Sequence, residues 1–373
     1  MNRSDRINWA GLYAGMDAAE LDVILGARIE NFFYITDCYL MSHIMLPDRL
    51  GIALVPRAGD PAAIVCEAEV LQTRQDSWIE DIRTYVEFSK TPMQAIAEWL
   101  IERGLAAGRI GIETLFLAAG YAEELAGLLP EATILPADGV FQRARAIKTP
   151  REIELMRYAA EATERAILAA FSAAKPGDTE KSVSDRIFEG LIAAGATSPW
   201  VVLGSGDNTS INHPYAGPKK LTAGETLRVD VGGCFAGYNS DIGRTAVIGE
   251  PNAEQASVYE RVLAAGKETI AALRPGMRAC DVYAAGKRAL ESRGFHVSIQ
   301  AIGHSFGTGL HDYPMLRADE TGLLEPNMIL AIEPAARDSR GWIYHIEDTI
   351  HLTEAGPVAL TTVMDKESIF VIE

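Results

Sequence analysis

Apolar and polar positions along the chain sort into helix-like and strand-like runs. Residues 16–30 (MDAAELDVILGARIE) carry Leu21, Ile24 and Leu25 at helical spacing, which predicts a helix. The NFFYIT run that follows reads as a strand. Gly51 to Val55 and Ala62 to Cys66 are apolar runs on either side of the turn-rich RAGDP, the pattern of a hairpin. Ile82 to Phe88 reads as a further strand. Thr91 and Pro92 then open a helix, as N-cap and first helical residue. Arg109 to Glu113 predicts another strand and 118–128 another helix.

The pattern changes between Arg143 and Pro150. Thr149-Pro150-Arg151-Glu152 has the form of a capping box. Behind it Ile153, Met156, Ala160, Thr163, Ile167 and Phe171 recur at three- and four-residue spacing, which predicts a long amphipathic helix. A second helix is expected from Val183 to Ala194 and a strand from Trp200 to Leu203. A hairpin over 227–248, helices near 253–272 and 279–293, and strands near 324–333 and 343–351 complete the chain. Helix pairs and strands both occur twice, a hint of internal duplication. An α/β protein of two domains, 1–145 and 146–373, is therefore expected. The first has no readable cluster of ligands, and His43 is its only histidine.

Length and charge narrow the class. At 373 residues one core is outgrown. The net charge of −17, from 51 acidic against 34 basic residues, argues against nucleic acid or an anionic membrane as partner. The four cysteines, Cys38, Cys66, Cys234 and Cys280, are widely spaced without a CxxC pair, so buried free thiols are expected. No apolar run approaches the ~20 residues of a membrane span, and MNRSDRINWAG lacks the apolar stretch of a signal peptide. A cytoplasmic location is the expectation.

The chemistry centres on LRVDVGGCFAGYNSDIGRT, where Asp230 and Asp241 stand eleven positions apart on two runs broken by glycines. A hairpin would set these carboxylates side by side on one face, where they repel unless a positive charge lies between them. A cation is the simplest resolution. Further candidates are His304 in the Gly-rich AIGHSFGTGLHDYP, read as a loop, Glu333 ending the apolar MILAIEP, and Glu347 in the apolar IYHIEDTIHL. Four carboxylates and one imidazole suit Mn²⁺, Fe²⁺ or Co²⁺, with Zn²⁺ a further option. Their charge exceeds what one divalent ion needs and fits a two-metal centre better. Structural roles stand beside this reading: a solvated Asp, a packed His, or ion pairs of Glu333 and Glu347 with Arg244 or Arg337.

The order and contexts of Asp230, Asp241, His304, Glu333 and Glu347 resemble the pita-bread metallopeptidases, which include Xaa-Pro dipeptidase (prolidase), aminopeptidase P and methionine aminopeptidase. RARAIKTPREIELMR resembles the entry to their catalytic domain. The N-terminal half resembles more loosely the small domain shared by prolidase, aminopeptidase P and creatinase. The resemblance implies a creatinase-like N-terminal domain ahead of a pita-bread catalytic domain. It implies an amide hydrolase that cleaves Xaa-Pro dipeptides or removes the N-terminal residue before a proline. Asp230 would chelate one metal, Asp241 and Glu347 would bridge two, and His304 and Glu333 would complete opposite sides. A metal-bridging hydroxide would attack the scissile carbonyl, with Glu333 as proton acceptor. His213, in SINHPYAG, and His311 match family histidines that hold substrate and the tetrahedral intermediate. Tyr238 and Thr245 flank the hairpin, either supporting the ligands or packing the sheet. The resemblance also implies a homodimer and two divalent ions, Mn²⁺ first, with Co²⁺, Fe²⁺ or Zn²⁺ as alternatives.

The sequence departs from that pattern in two places. His345 stands where prolidases and aminopeptidase P carry Arg, two residues before the last ligand. Residues two apart on a strand share a face, so His345 should enter the substrate pocket beside Glu347. HDYP, with Asp312 and then Met315, replaces the HExP of many prolidases. Both weaken the case for a prolyl carboxylate as the recognised group. They leave open an alternative on the same fold: a small non-peptide catabolic substrate, as in creatinase, ectoine-type hydrolases or a sulfoniopropionate lyase. The complete ligand set counts against a metal-free creatinase mechanism and against a non-catalytic binding module.

Overall fold

Val23–Gly26 (β1) lies at the centre of a six-stranded sheet although the local spacing of its apolar residues is helical. The computed structural model describes residues 3–46 and 49–373 and divides into two units, Met1–Thr149 and Pro150–Glu373. In the first unit β1 is joined by Ile52–Pro56 (β2), Ala62–Cys66 (β3), Asp81–Tyr85 (β4), Arg109–Ile112 (β5) and Thr133–Pro136 (β6), in the order β4-β3-β2-β1-β5-β6. Val23 and Leu25 pack into one apolar cluster and Ile24 into another, so the strand is buried on both faces. Burial on both sides erases the polar alternation by which a strand is usually recognised. The helix expected over 16–30 is instead Trp9–Ala18, which ends before β1 begins.

NFFYIT, expected as a strand, belongs to the helix Ile29–Thr36. Asn31 to Thr36 are all buried, so this helix has no polar face to reveal its period. The β2–β3 hairpin forms as the sequence implies, and Thr91 caps its helix in a reciprocal capping box with Gln94.

The second unit opens with the helix Pro150–Ala173, which buries Met156, Ala160, Thr163, Ile167 and Phe171, while Ile153 is only partly covered. The helix Glu180–Ala193 follows. Trp200–Ser205 (β7), Thr226–Phe235 (β8) and Tyr238–Ile248 (β9) are antiparallel neighbours, and Phe370–Ile372 (β17) later joins β9 in parallel. Thr163 on the long helix is tied to Ser240 on β9 by a 2.7 Å hydroxyl–hydroxyl hydrogen bond. A second helix pair, Ala253–Ala272 and Ala279–Glu291, precedes a second antiparallel sheet. Its strands are Ala301–Ser305 (β10), Asp312–Arg317 (β11), Ile329–Ile332 (β12), Asp348–Thr353 (β15) and Gly356–Ala359 (β16), in the order β11-β10-β12-β15-β16. Ala335–Arg337 (β13) and Ile343–His345 (β14) form a separate ribbon. The order of two helices followed by antiparallel strands thus occurs twice.

Among the described residues no helix is long and apolar enough to cross a membrane. Cys38, Cys66, Cys234 and Cys280 are free thiols, the first three buried.

Candidate active site

The β8–β9 register pairs Asp230 with Gly243 and Gly232 with Asp241. The two aspartates are therefore diagonal neighbours on one face of the hairpin rather than directly opposed. His304 lies on β10, paired with Ala331 of β12, and not in a loop. Gly303 beside it permits a tight strand approach, because a Cβ there would collide with the Ala331 carbonyl. That close approach, not loop flexibility, accounts for the glycine.

Glu333 follows β12 directly and donates its backbone N–H to Ile302 at 3.0 Å. Glu347 occupies the junction between β14 and β15, where its N–H reaches the Gly243 carbonyl at 3.0 Å. The predicted 343–351 strand is thus broken at the candidate ligand. The break lets the carboxylate leave the plane of the second sheet and reach the first.

These elements bring Asp230, Asp241, His304, Glu333 and Glu347 into one cluster. His304 Nε2 is 3.5 Å from Asp241 Oδ2 and 3.9 Å from Glu333 Oε1. His345 Nε2 is 3.8 Å from Glu333 Oε2 and 3.9 Å from Glu347 Oε2. Donor atoms fall into two groups, Asp241–His304–His311 and Asp230–His345–Glu347, each within 4.8 Å. Asp241, His304 and Glu347 are buried, whereas Asp230 and Glu333 are partly open. The exposed His311 ring lies 4.2 Å from that of His304, centroid to centroid.

Neither arginine available for a structural ion pair neutralises the cluster. Arg244 pairs with Glu164 at 2.6 Å and Asp348 at 3.1 Å, and Arg337 donates to the Ser210 and Gly341 carbonyls. Burial, followed by the charges of Asp230 and Glu333, holds the Asp241 carboxyl well above its ordinary range. Burial and the charges of Asp241, Asp230 and Glu333 do the same to Glu347. Burial also opposes charge on Glu333, but the proximity of His345 and His304 outweighs it and lowers that carboxyl. Burial depresses His304 and keeps it neutral, the form that ligates metals. Asp230 Oδ1 is buried with no hydrogen-bond partner among the described residues.

A cavity of about 590 Å³ opens onto Asp230, Glu333 and His345. His213 lies on its wall, exposed and outside both donor groups. The cavity is also lined by Arg228 and Arg337, whose placement in it the sequence reading missed. Arg228 lies two residues before Asp230 on β8 and so shares its face, a signal that strand alternation contained. Its Nη2 donates to the Ile211 and Asn212 carbonyls at 2.8 and 2.6 Å. Burial lowers the Arg228 guanidinium; Asp230 opposes that shift and Arg337 reinforces it. The cavity is therefore lined by both acidic and cationic side chains. Tyr238 donates to the buried Glu152 at 3.2 Å, and Thr245 holds the backbone of His345.

Residues 154–354 match the model of metallopeptidase family M24, and residues 9–147 match the creatinase/prolidase N-terminal domain. An Xaa-Pro dipeptidase of Pyrococcus horikoshii is 26% identical over 93% of this chain and 94% of its own. That of Pyrococcus furiosus is 32% identical over 60% of this chain, a match that spans 65% of the relative. The solved prolidase of Pyrococcus horikoshii superposes with a TM-score of 0.82 at 26% identity, covering 96% of this chain and 99% of that one. An X-Pro aminopeptidase structure from Thermotoga maritima, at 22% identity and TM-score 0.84 over both whole chains, shares the fold.

Proposed function

The chain belongs to metallopeptidase family M24, with a creatinase-like N-terminal domain and a pita-bread catalytic domain, and we propose that it hydrolyses Xaa-Pro dipeptides at a two-metal centre. The carrying observation is a convergence of four carboxylates, none of which has a lysine or arginine within ion-pair distance among the described residues. The orphaned Asp230 Oδ1 and the neutral His304 fit a cation as the missing partner.

Asp230, Asp241, His304, Glu333 and Glu347 would hold the ions, with Mn²⁺ the first choice and Co²⁺, Fe²⁺ and Zn²⁺ the alternatives. Bound there, divalent ions acidify water and polarise the scissile carbonyl. The chain's own residues do the rest. Glu333, facing the cavity, takes the proton of the attacking water and passes it to the leaving amine. His213 and His311, both exposed, hold the scissile peptide and its tetrahedral intermediate. Arg228 and Arg337 face the substrate's free carboxylate, which supports a dipeptide over a longer chain.

The test is a hydrolysis panel on chelator-stripped protein with and without Mn²⁺. It compares Xaa-Pro dipeptides, their C-terminal amides, Xaa-Pro tripeptides and non-prolyl dipeptides. Mn²⁺-dependent cleavage preferring free dipeptides is the expected result. A preference for tripeptides would make the enzyme an aminopeptidase. Inactivity on every peptide while two ions are bound would leave a small non-peptide catabolic substrate as the alternative.

A further inference from the structure

The geometry points to His345 as an additional metal ligand, on the ion that Asp230 and Glu347 would share. This rests on the two-metal reading above and deepens it. His345 is 4% exposed, yet neither ring nitrogen makes a hydrogen bond to the protein among the described residues. Nδ1 is buried without a partner. Nε2 points between Glu333 and Glu347 at 3.8 and 3.9 Å, beyond hydrogen-bonding length. Two ligand atoms each about 2.0–2.2 Å from one ion stand roughly 3–4 Å apart, so these separations suit donors arranged around a cation. A packed core histidine satisfies at least one nitrogen; this one satisfies neither.

The chain also builds a seat for the ring. It lies over Gly243, directly opposite Asp230 in the hairpin, where a Cβ would come within 2.5 Å of the ring Cε1. Thr245 fixes the backbone of the same residue: its hydroxyl accepts from the His345 N–H and donates to the His345 carbonyl, both at 3.0 Å. Ring position is thus set by a glycine on one side and a two-point backbone clamp on the other. A ring positioned before the ion arrives loses less freedom on binding it.

With His345 included, each ion has an imidazole: His304 beside Asp241, and His345 beside Asp230 and Glu347. An added nitrogen donor moves the Asp230 ion away from Mn²⁺ and towards Co²⁺ or Zn²⁺. The cost is one fewer group for gripping substrate.

Full-length protein, chelator-stripped and titrated with Co²⁺, tests the assignment by stoichiometry, visible absorption and X-ray absorption counting of imidazoles. Wild type should bind two ions with two imidazoles between them, one from His304 and one from His345. H345Q and H345A should keep one ion, weaken the other by roughly 10–100-fold and lose one imidazole from the scattering. G243A retains the imidazole but displaces it, and should weaken the same ion. Matching thermal unfolding of the stripped proteins establishes that the variants fold. Unchanged Co²⁺ affinity and scattering in H345Q, with only a raised KM, would make His345 a substrate contact and overturn the proposal. Failure of the wild type to bind any divalent ion would overturn the two-metal reading itself, which the variants alone cannot do.

Discussion

Arg244 donates to the main-chain oxygen of Glu347 and leaves that residue's carboxylate to the acidic cluster. Its other nitrogen is held by Glu164 and Asp348, and Asp348 is in turn met by Lys366 at 2.6 Å and Thr361 at 2.8 Å. The arginine 2% exposed beside the site therefore shapes its backbone without cancelling its charge. Replacing Arg244 with Met removes the ion-pair partner of the buried Glu164 and one of the two cations on Asp348, and should cost about 3–5 kcal/mol. Urea unfolding reads this directly, and a loss below about 1 kcal/mol would mean that the ion network is not what positions Glu347.

Asp241 sets charge against burial, its carboxyl being held well above the ordinary range by burial and by the charges of Asp230 and Glu333. In Asp241→Asn one repelling carboxylate disappears, so the metal-free protein should gain roughly 1 kcal/mol or more at pH 8. Metal loading and turnover should both collapse. A variant that loads two ions and works at wild-type rate would sink the two-metal reading.

The pH dependence has a definite sign. Asp241 and Glu347 titrate above the ordinary carboxylate range, so the folded chain keeps protons there that the unfolded chain has released. The stability this proton binding supplies is full below the unfolded pKa and is lost as pH rises towards the raised values. A divalent ion displaces those protons and relieves the repulsion. The rise in Tm on adding Mn²⁺ should therefore be larger at pH 8 than at pH 5.5, and calorimetry should detect proton release. Equal shifts at both pH values would mean that the ion binds elsewhere.

If Arg228 and Arg337 receive the free carboxylate, they should separate dipeptides from amides. Arg228→Gln should lower kcat/KM for free Xaa-Pro dipeptides by about 10–100-fold, the worth of a charged hydrogen bond, and barely change it for the C-terminal amides. Equal losses on both would mean that Arg228 acts by holding the Ile211–Asn212 segment.

The hairpin carrying Asp230 and Asp241 was legible because an eleven-residue spacing across a glycine turn sets same-face geometry locally. The capped helix at Thr91 and the long helix from Pro150 were legible for the same reason, since caps and one-sided burial leave their mark in neighbouring residues. Resemblance, rather than spacing, linked His304, Glu333 and Glu347 to that pair.

Where burial is two-sided the local signal vanishes. Val23–Gly26 became a strand and Ile29–Thr36 a helix against their apolar patterns, because apolar clusters cover both faces of the strand and the helix is buried from Asn31 to Thr36. The placement of His345 was beyond any local rule. Alternation along one strand put it beside Glu347, where the structure also has it, but the chain breaks between the two, and the seat of the ring on Gly243, 102 positions away in sequence, left no local signal. By itself the sequence determined which chemical groups the chain owns and, where burial is one-sided, which strands and helices carry them. Tertiary structure alone decided what each group faces, because the docking of two sheets and the routing of Arg244 to a main-chain oxygen depend on contacts between residues about a hundred apart.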